Sequence, residues 1–118
     1  MSQAERLTDT DPLLLAEMRA AAAKIQAYTA GMAEAEFLAG GLTADAVSLN
    51  LLLIGEGAVQ LTEATRRLES EIPWRDLIEL RHRTAHGLAR IDLRIVWRIV
   101  QDDLPPLIER LERLSGKI

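Results

Sequence analysis

Apolar residues recur at three- and four-residue steps almost throughout this chain, and no segment alternates apolar with polar residues. Such spacing lines up apolar side chains on one face of an α-helix, whereas a half-buried strand needs strict alternation. Glycine and proline interrupt the pattern at regular places: Gly31, Gly40-Gly41, Pro73, Gly87 and Pro105-Pro106. The sequence therefore predicts an all-α protein, an up-and-down bundle of four or five helices.

Capping residues and prolines give the expected helix starts. Thr10 or Asp11 is expected to cap the first helix, with Pro12 in its first turn, and Thr43 to open a second helix that runs to about Leu68. Pro73 then opens a third helix that stops at Gly87, Asp92 caps a fourth, and Pro105-Pro106 brings a kink or a restart. A short helical segment, 33–38, is expected between the first two helices.

Two glycines lie inside the expected second helix, where each lowers helix propensity by ~1 kcal/mol. They are Gly55 and Gly57. Either they allow close packing against a neighbouring helix, or they are merely tolerated.

Length and composition set the broad class of the protein. A chain of 118 residues fits one domain, 1–118, and the absence of cysteine excludes disulfide frameworks and thiol catalysis. No apolar run approaches the roughly 18 residues of a membrane span, and residues 1–11 lack the pattern of a signal peptide. We expect a soluble, cytoplasmic protein without a membrane partner.

Charge is unevenly distributed along the chain. The net charge is −4, yet residues 75–98 hold six arginines, three carboxylates and the two histidines. The arginines either solvate helix faces or form a local anion site, because electrostatic fields act within a Debye length of ~8 Å.

The segment 81–88 carries the residues best suited to chemistry. Arg81 offers a permanent fork-shaped cation for phosphate oxygens, and His86 offers a proton acceptor and donor near neutral pH. Cleavage of RNA without a metal needs this pair, a base for the ribose 2′-hydroxyl and a cation for charge on the phosphate. On a regular helix, however, residues five apart lie about 140° from each other, so one helix does not place both on one stripe.

His82 and His86 form a competing pair. Residues at i and i+4 of a helix face the same way and can bind a metal, with Glu79 as a third ligand. The His-Glu-x-x-His pattern of zinc proteases is absent. This alternative is a metal-dependent hydrolase.

Several ordered stretches resemble one family, the HepT branch of the HEPN-domain proteins. They are Leu53-Ile54-Gly55-Glu56, Ile72-Pro73-Trp74-Arg75, the R-x4-H motif from Arg81 to His86-Gly87, Ile91-Asp92, residues 95–100 and Asp103-Leu104-Pro105. The resemblance covers nearly the whole chain.

This resemblance implies a HEPN-type helical bundle that forms a homodimer with both R-x4-H motifs facing one cleft. It implies a ribonuclease toxin that uses no metal or other cofactor, and a nucleotidyltransferase antitoxin as partner. Arg81 would hold the phosphate and His86 would transfer protons, while His82 and Arg83 would support contact with RNA.

Two positions depart from the family pattern. His82 stands where asparagine is common, and Leu88 replaces the tyrosine to which the antitoxin attaches AMP. Because leucine has no hydroxyl, we expect neutralisation by tight binding or by modification elsewhere. A second interpretation is a binding module that keeps the fold and the partner but has lost cleavage, which the loss of the tyrosine slightly favours.

Overall fold

A computed structural model describes the backbone of residues 3–87 and 92–118, and the side chains of residues 10–82 and 92–118. Seven α-helices and one π-helical turn account for most of these residues, and the described backbone contains no strand. The helices are α1 (Gln3–Thr29), α2 (Glu34–Leu38), α3 (Leu42–Gln60), α4 (Glu63–Arg67), α5 (Trp74–Gly87), α6 (Leu93–Arg98) and α7 (Leu104–Ser115), with the π-helical turn at Ile99–Asp103.

The central helix is α3, which packs against α1 on one side and α5 on the other, while α7 packs against α1. Buried apolar residues from these helices form one core. Apolar residues of the predicted second helix, from Val47 to Leu61, lie in that core, but Leu68, at the expected end of that helix, is exposed. Four long helical units, α1, α3, α5 and the run from α6 to α7, confirm the predicted all-α bundle.

The predicted start of the first helix is wrong. Helix α1 begins at Gln3, so Pro12 lies inside it and Asp11 caps nothing. The Asp11 carboxylate is buried and accepts hydrogen bonds from the Thr62 N–H (3.2 Å) and from the hydroxyls of Thr62 (2.5 Å) and Thr65 (2.6 Å). This side chain therefore joins α1 to the start of α4, a tertiary role that local capping rules do not reveal.

The predicted second helix is in fact two helices. Gly41, not Thr43, occupies the N-cap position of α3, and the chain leaves α3 at Leu61 in an extended conformation. Thr62 then caps α4, because its side chain accepts a hydrogen bond from the Thr65 N–H. Since Leu61 and Thr65 both remain buried, the apolar pattern continues across the break and hides it in the sequence.

The predicted starts of the third and fourth helices are confirmed. Helix α5 starts directly after Pro73 and reaches Gly87, and the Asp92 side chain caps α6 by accepting from the Arg94 N–H. Pro105-Pro106 lies in the first turn of α7, directly after the π-helical turn. The N–H groups of the first helical turn have no hydrogen-bond partner within the helix, so prolines in that turn cost little, and the chain continues as α7.

Helix α3 is more apolar than the sequence analysis anticipated. By length and composition alone its 19 residues, with a mean hydropathy of 1.4 in the most apolar window, match a membrane span, and half of that window is buried. A core helix of a soluble protein meets the same criterion. The expectation that no apolar run approaches this length was wrong, because serine, asparagine and glycine interrupt α3 without making it strongly polar.

Candidate active site

Arg81 lies on the face of α5 that meets α3. Its Cα and Cβ pack directly over Gly55, so closely that a Cβ added to Gly55 would overlap the Arg81 Cβ. The same added atom would lie 2.9 Å from the Arg81 Cα and 2.9 Å from the Leu77 carbonyl oxygen. Gly55 is thus the residue that allows α5 to approach α3 at this point, which confirms close packing as the reason for this glycine.

Glu56, the next residue of α3, binds the Arg81 guanidinium. The Arg81 Nε–H donates to Glu56 Oε1 at 2.7 Å, and both side chains are about one-third exposed. The hydrogen bond and positive charge of Arg81 hold the pKa of the Glu56 carboxyl below its ordinary value. A guanidinium has five N–H donors, so this contact fixes its orientation with only one of them.

The remaining predicted site residues follow Arg81 on α5. His82 is exposed, and the backbone of Arg83 and His86 continues the helix, which ends at Gly87. The side chains of Arg83 and His86 lie outside the described residues, as does all of Leu88. The structure therefore brings Arg81 together with Glu56, and the roles of His82, Arg83 and His86 stay predictions.

In the sequence, Glu56 is only one residue of a stretch that resembles the family, and no role is predicted for it. Its signal was available in the Gly55-Glu56 pair, since a glycine that admits a neighbouring helix also places the next side chain beside that helix. Glu56 and Arg81 are 25 residues apart in the sequence, so their contact could not be inferred from local spacing.

The metal alternative depends on a residue whose side chain is not described, His86. No group of three or more histidine and carboxylate side chains gathers among residues 10–82 and 92–118. The pair that the alternative needs includes His86, whose side chain is outside that set. RNA cleavage measured with and without a chelator distinguishes a metal-dependent hydrolase from a ribonuclease that needs no metal.

A sequence profile for HepT-like ribonucleases matches residues 18–114 of this chain. The chain belongs to the HepT-like ribonuclease family. The match extends from α1 into the last turn of α7, so it includes Gly55, Glu56 and all of α5. The predicted family and the predicted enzyme class, ribonuclease, are confirmed.

Individual relatives agree with this assignment to the HepT-like family. The chain is 32% identical over 90 residues to a protein of Thermococcus cleftensis named as a probable ribonuclease HepT, covering 76% of this chain and 82% of that one. A protein of Methanocaldococcus jannaschii, named for gamma-glutamylcyclotransferase and provisional RNase activities, is 29% identical over 80% of this chain but only 42% of its own length. A further M. jannaschii protein provisionally named as an RNase is 31% identical, with 77% of this chain and 75% of that one covered. No solved structure matches at comparable significance.

Replacement of Gly55 by alanine tests the close approach of α3 and α5 in this HepT-like protein. We expect Gly55→Ala to lower the free energy of unfolding by about 1–3 kcal/mol, because the added methyl group meets the backbone of α5. Urea denaturation followed by circular dichroism measures the change.

Gly57→Ala is the matched control in the same helix. The nearest atoms to an added Cβ there all belong to the buried Met18 side chain, so we expect a smaller loss than for Gly55→Ala, because a methionine side chain yields more easily than the backbone of α5. Equal losses for the two variants would contradict a special role for Gly55 in positioning α5.

Proposed function

We propose that this protein is a ribonuclease toxin that cleaves RNA without a metal, using Arg81 and His86. The observation that carries the proposal is the Glu56–Arg81 ion pair in a HepT-like chain, with the guanidinium fixed five residues before His86 on the same helix. A preoriented cation of this kind stabilises charge that develops on a phosphate.

The proposed reaction is an attack by the ribose 2′-oxygen on the adjacent phosphorus. The new P–O bond forms as the bond to the 5′-oxygen of the next nucleotide breaks, leaving a cyclic phosphate. His86 takes the proton of the 2′-hydroxyl or gives one to the departing 5′-oxygen, and Arg81 binds the phosphate oxygens. His82 and Arg83 add contacts to the RNA backbone.

Cleavage of RNA by the purified protein in excess chelator tests this function. We expect the rate to be unchanged by EDTA, since no step requires a metal ion. Loss of cleavage in EDTA, restored by an added divalent cation, would favour the metal-dependent hydrolase that pairs His82 with His86.

The second candidate function is a binding module without catalysis. The absence of the tyrosine at position 88 favours it, because the residue that the family's partner modifies is missing while the fold is kept. A wild-type protein that binds a nucleotidyltransferase tightly but cleaves no RNA, at any pH tested, would support this candidate.

A homodimer is part of the proposal, and an exposed stripe of α3 supports it. Leu42, Leu49 and Leu53 are 90%, 51% and 48% exposed, and their spacing of seven and four residues places them on one side of the helix. Glu56 follows three residues later on the same stripe. A second copy packed here would therefore lie beside Arg81.

Light scattering tests this dimer at micromolar concentration. We expect a dimer for the wild type and a monomer for Leu53→Glu, because a carboxylate in an apolar interface loses its hydration without a partner. Glu112→Gln, an exposed change on α7, is the control. A wild-type monomer with full ribonuclease activity would contradict the proposal.

The proposed partner is a nucleotidyltransferase antitoxin in the same cytoplasmic compartment. Because Leu88 has no hydroxyl, we expect inhibition through a stable complex and no transfer of AMP to position 88. Mass spectrometry after co-expression with a neighbouring nucleotidyltransferase gene measures this. An added AMP mass on any residue from 81 to 92 would contradict the expectation, and Leu88→Tyr is the positive control.

A further inference from the structure

A second polar surface lies at the other end of α5 from the R-x4-H motif. Helix α4, the loop after it and the first turns of α5 form an open groove. Arginines and one tryptophan dominate its lining: Arg66, Arg67, Trp74 and Arg75. We call this surface the α4–α5 groove.

The arginines of the α4–α5 groove are only partly neutralised. Arg67 forms an ion pair with Glu63 at 2.8 Å. Among the described residues, Arg66 and Arg75 have no carboxylate within ion-pair distance, and Arg75 is exposed. The groove also contains Glu79, whose charge offsets one of the arginines. Its lining still carries a net positive charge, which suits an anionic ligand.

Trp74 gives the groove a rigid aromatic wall. Its indole N–H donates to two main-chain oxygens, those of Arg66 at 3.0 Å and Glu69 at 3.2 Å. These bonds fix the ring at the junction of α4 and α5, and the side chain remains half-buried. A fixed aromatic ring bordered by arginines is the arrangement on which single-stranded nucleic acids stack their bases and bind their phosphates.

The register of α5 connects this groove to the proposed site. Positions 75, 82 and 86 fall on one stripe of a regular helix, because seven and eleven residues are close to two and three full turns. Arg75 lies about 10 Å along the axis from His82, given a rise of ~1.5 Å per residue. An RNA strand bound along this stripe would contact Arg75 and Trp74 a short distance from the residues proposed to cleave it.

We propose that the α4–α5 groove is a binding subsite for single-stranded RNA next to the cleaved bond, with Arg66 and Arg75 on phosphates and Trp74 against a base. This inference rests on the proposed ribonuclease function. It favours RNA over a protein partner because the surface offers arginines and an indole, whereas the exposed face of α3 offers leucines.

Binding of a single-stranded RNA of about 12 nucleotides, made with 2′-O-methyl groups so that it is not cleaved, tests the subsite by fluorescence anisotropy. For Arg66→Gln/Arg75→Gln we expect the Kd to rise about 25-fold at ~0.1 M salt, fivefold for each lost phosphate contact. The slope of log K against log salt becomes shallower by about 1.4. Arg19→Gln, an exposed charge loss on α1, leaves both quantities unchanged.

Cleavage of natural RNA supplies a second readout, the ratio of kcat/KM on a long strand to kcat/KM on a dinucleotide. We expect the double variant to lower this ratio, since a dinucleotide is too short to reach Arg75. An equal loss on both substrates would overturn the subsite, as would unchanged binding of the long strand. Normal RNA binding with lost affinity for a nucleotidyltransferase would assign the groove to a protein partner instead. A wild-type protein that neither binds nor cleaves any RNA would contradict the ribonuclease function itself.

Discussion

We expect His86→Ala to lower the rate of RNA cleavage by about 10²–10⁴-fold, the usual contribution of general acid–base catalysis. His86 is the next-to-last residue of α5, and alanine is compatible with that helix, so the helical content should stay unchanged. The measurement is kcat on a defined RNA, with circular dichroism as the check on folding.

His82→Ala is the control for this effect, because His82 is an exposed histidine that precedes His86 by about one turn of the same helix. We expect its activity to fall much less. An inactive His82→Ala protein together with an active His86→Ala protein would show that the roles are assigned wrongly. The metal alternative would then need testing with chelated and reconstituted enzyme.

We expect Glu56→Ala to lower kcat/KM by up to about 10²-fold, although Glu56 itself touches no substrate in the proposed reaction. The change removes the acceptor that holds the Arg81 Nε–H at 2.7 Å, so the guanidinium loses its fixed orientation. Glu56 is therefore a positioning residue. Glu56→Gln should recover most of the loss, because a glutamine oxygen still accepts this hydrogen bond.

Gln60→Ala is the matched control, since Gln60 reaches the other oxygen of Glu56 only at 3.5 Å and on the exposed side. We expect it to be close to wild type. If Glu56→Ala and Glu56→Gln reduce stability equally and leave kcat/KM unchanged, Glu56 has a structural role only.

The pH dependence of the Glu56–Arg81 pair has a defined sign. Arg81 lowers the pKa of Glu56, so the carboxylate is ionised throughout the neutral range and its stabilising contact is lost only as the pH falls through the lowered value. An acidic limb of the rate profile in the neutral range therefore comes from a group other than Glu56. Wild type and Glu56→Gln should share that limb.

The sequence alone determined the class of fold and the family. Apolar residues that recur with the 3.6-residue period of an α-helix are visible in the sequence itself. The positions of α5, α6 and the restart at Pro105-Pro106 could therefore be predicted closely. The same periodicity hid the break between α3 and α4, because Leu61 and Thr65 stay buried on both sides of it.

Only the tertiary structure decided how the site is held. Asp11 reads as a helix cap in sequence, yet it is buried against Thr62 and Thr65, more than fifty residues away. Likewise, the sequence indicates no partner for the Arg81 side chain. The close approach of α5 to α3 at Gly55 places Arg81 against Glu56. Capping and periodicity rules consider only residues within about one helical turn of each other. The contacts of Asp11 and Arg81 form only when distant helices pack, so the residues that bind them could not be predicted from the sequence.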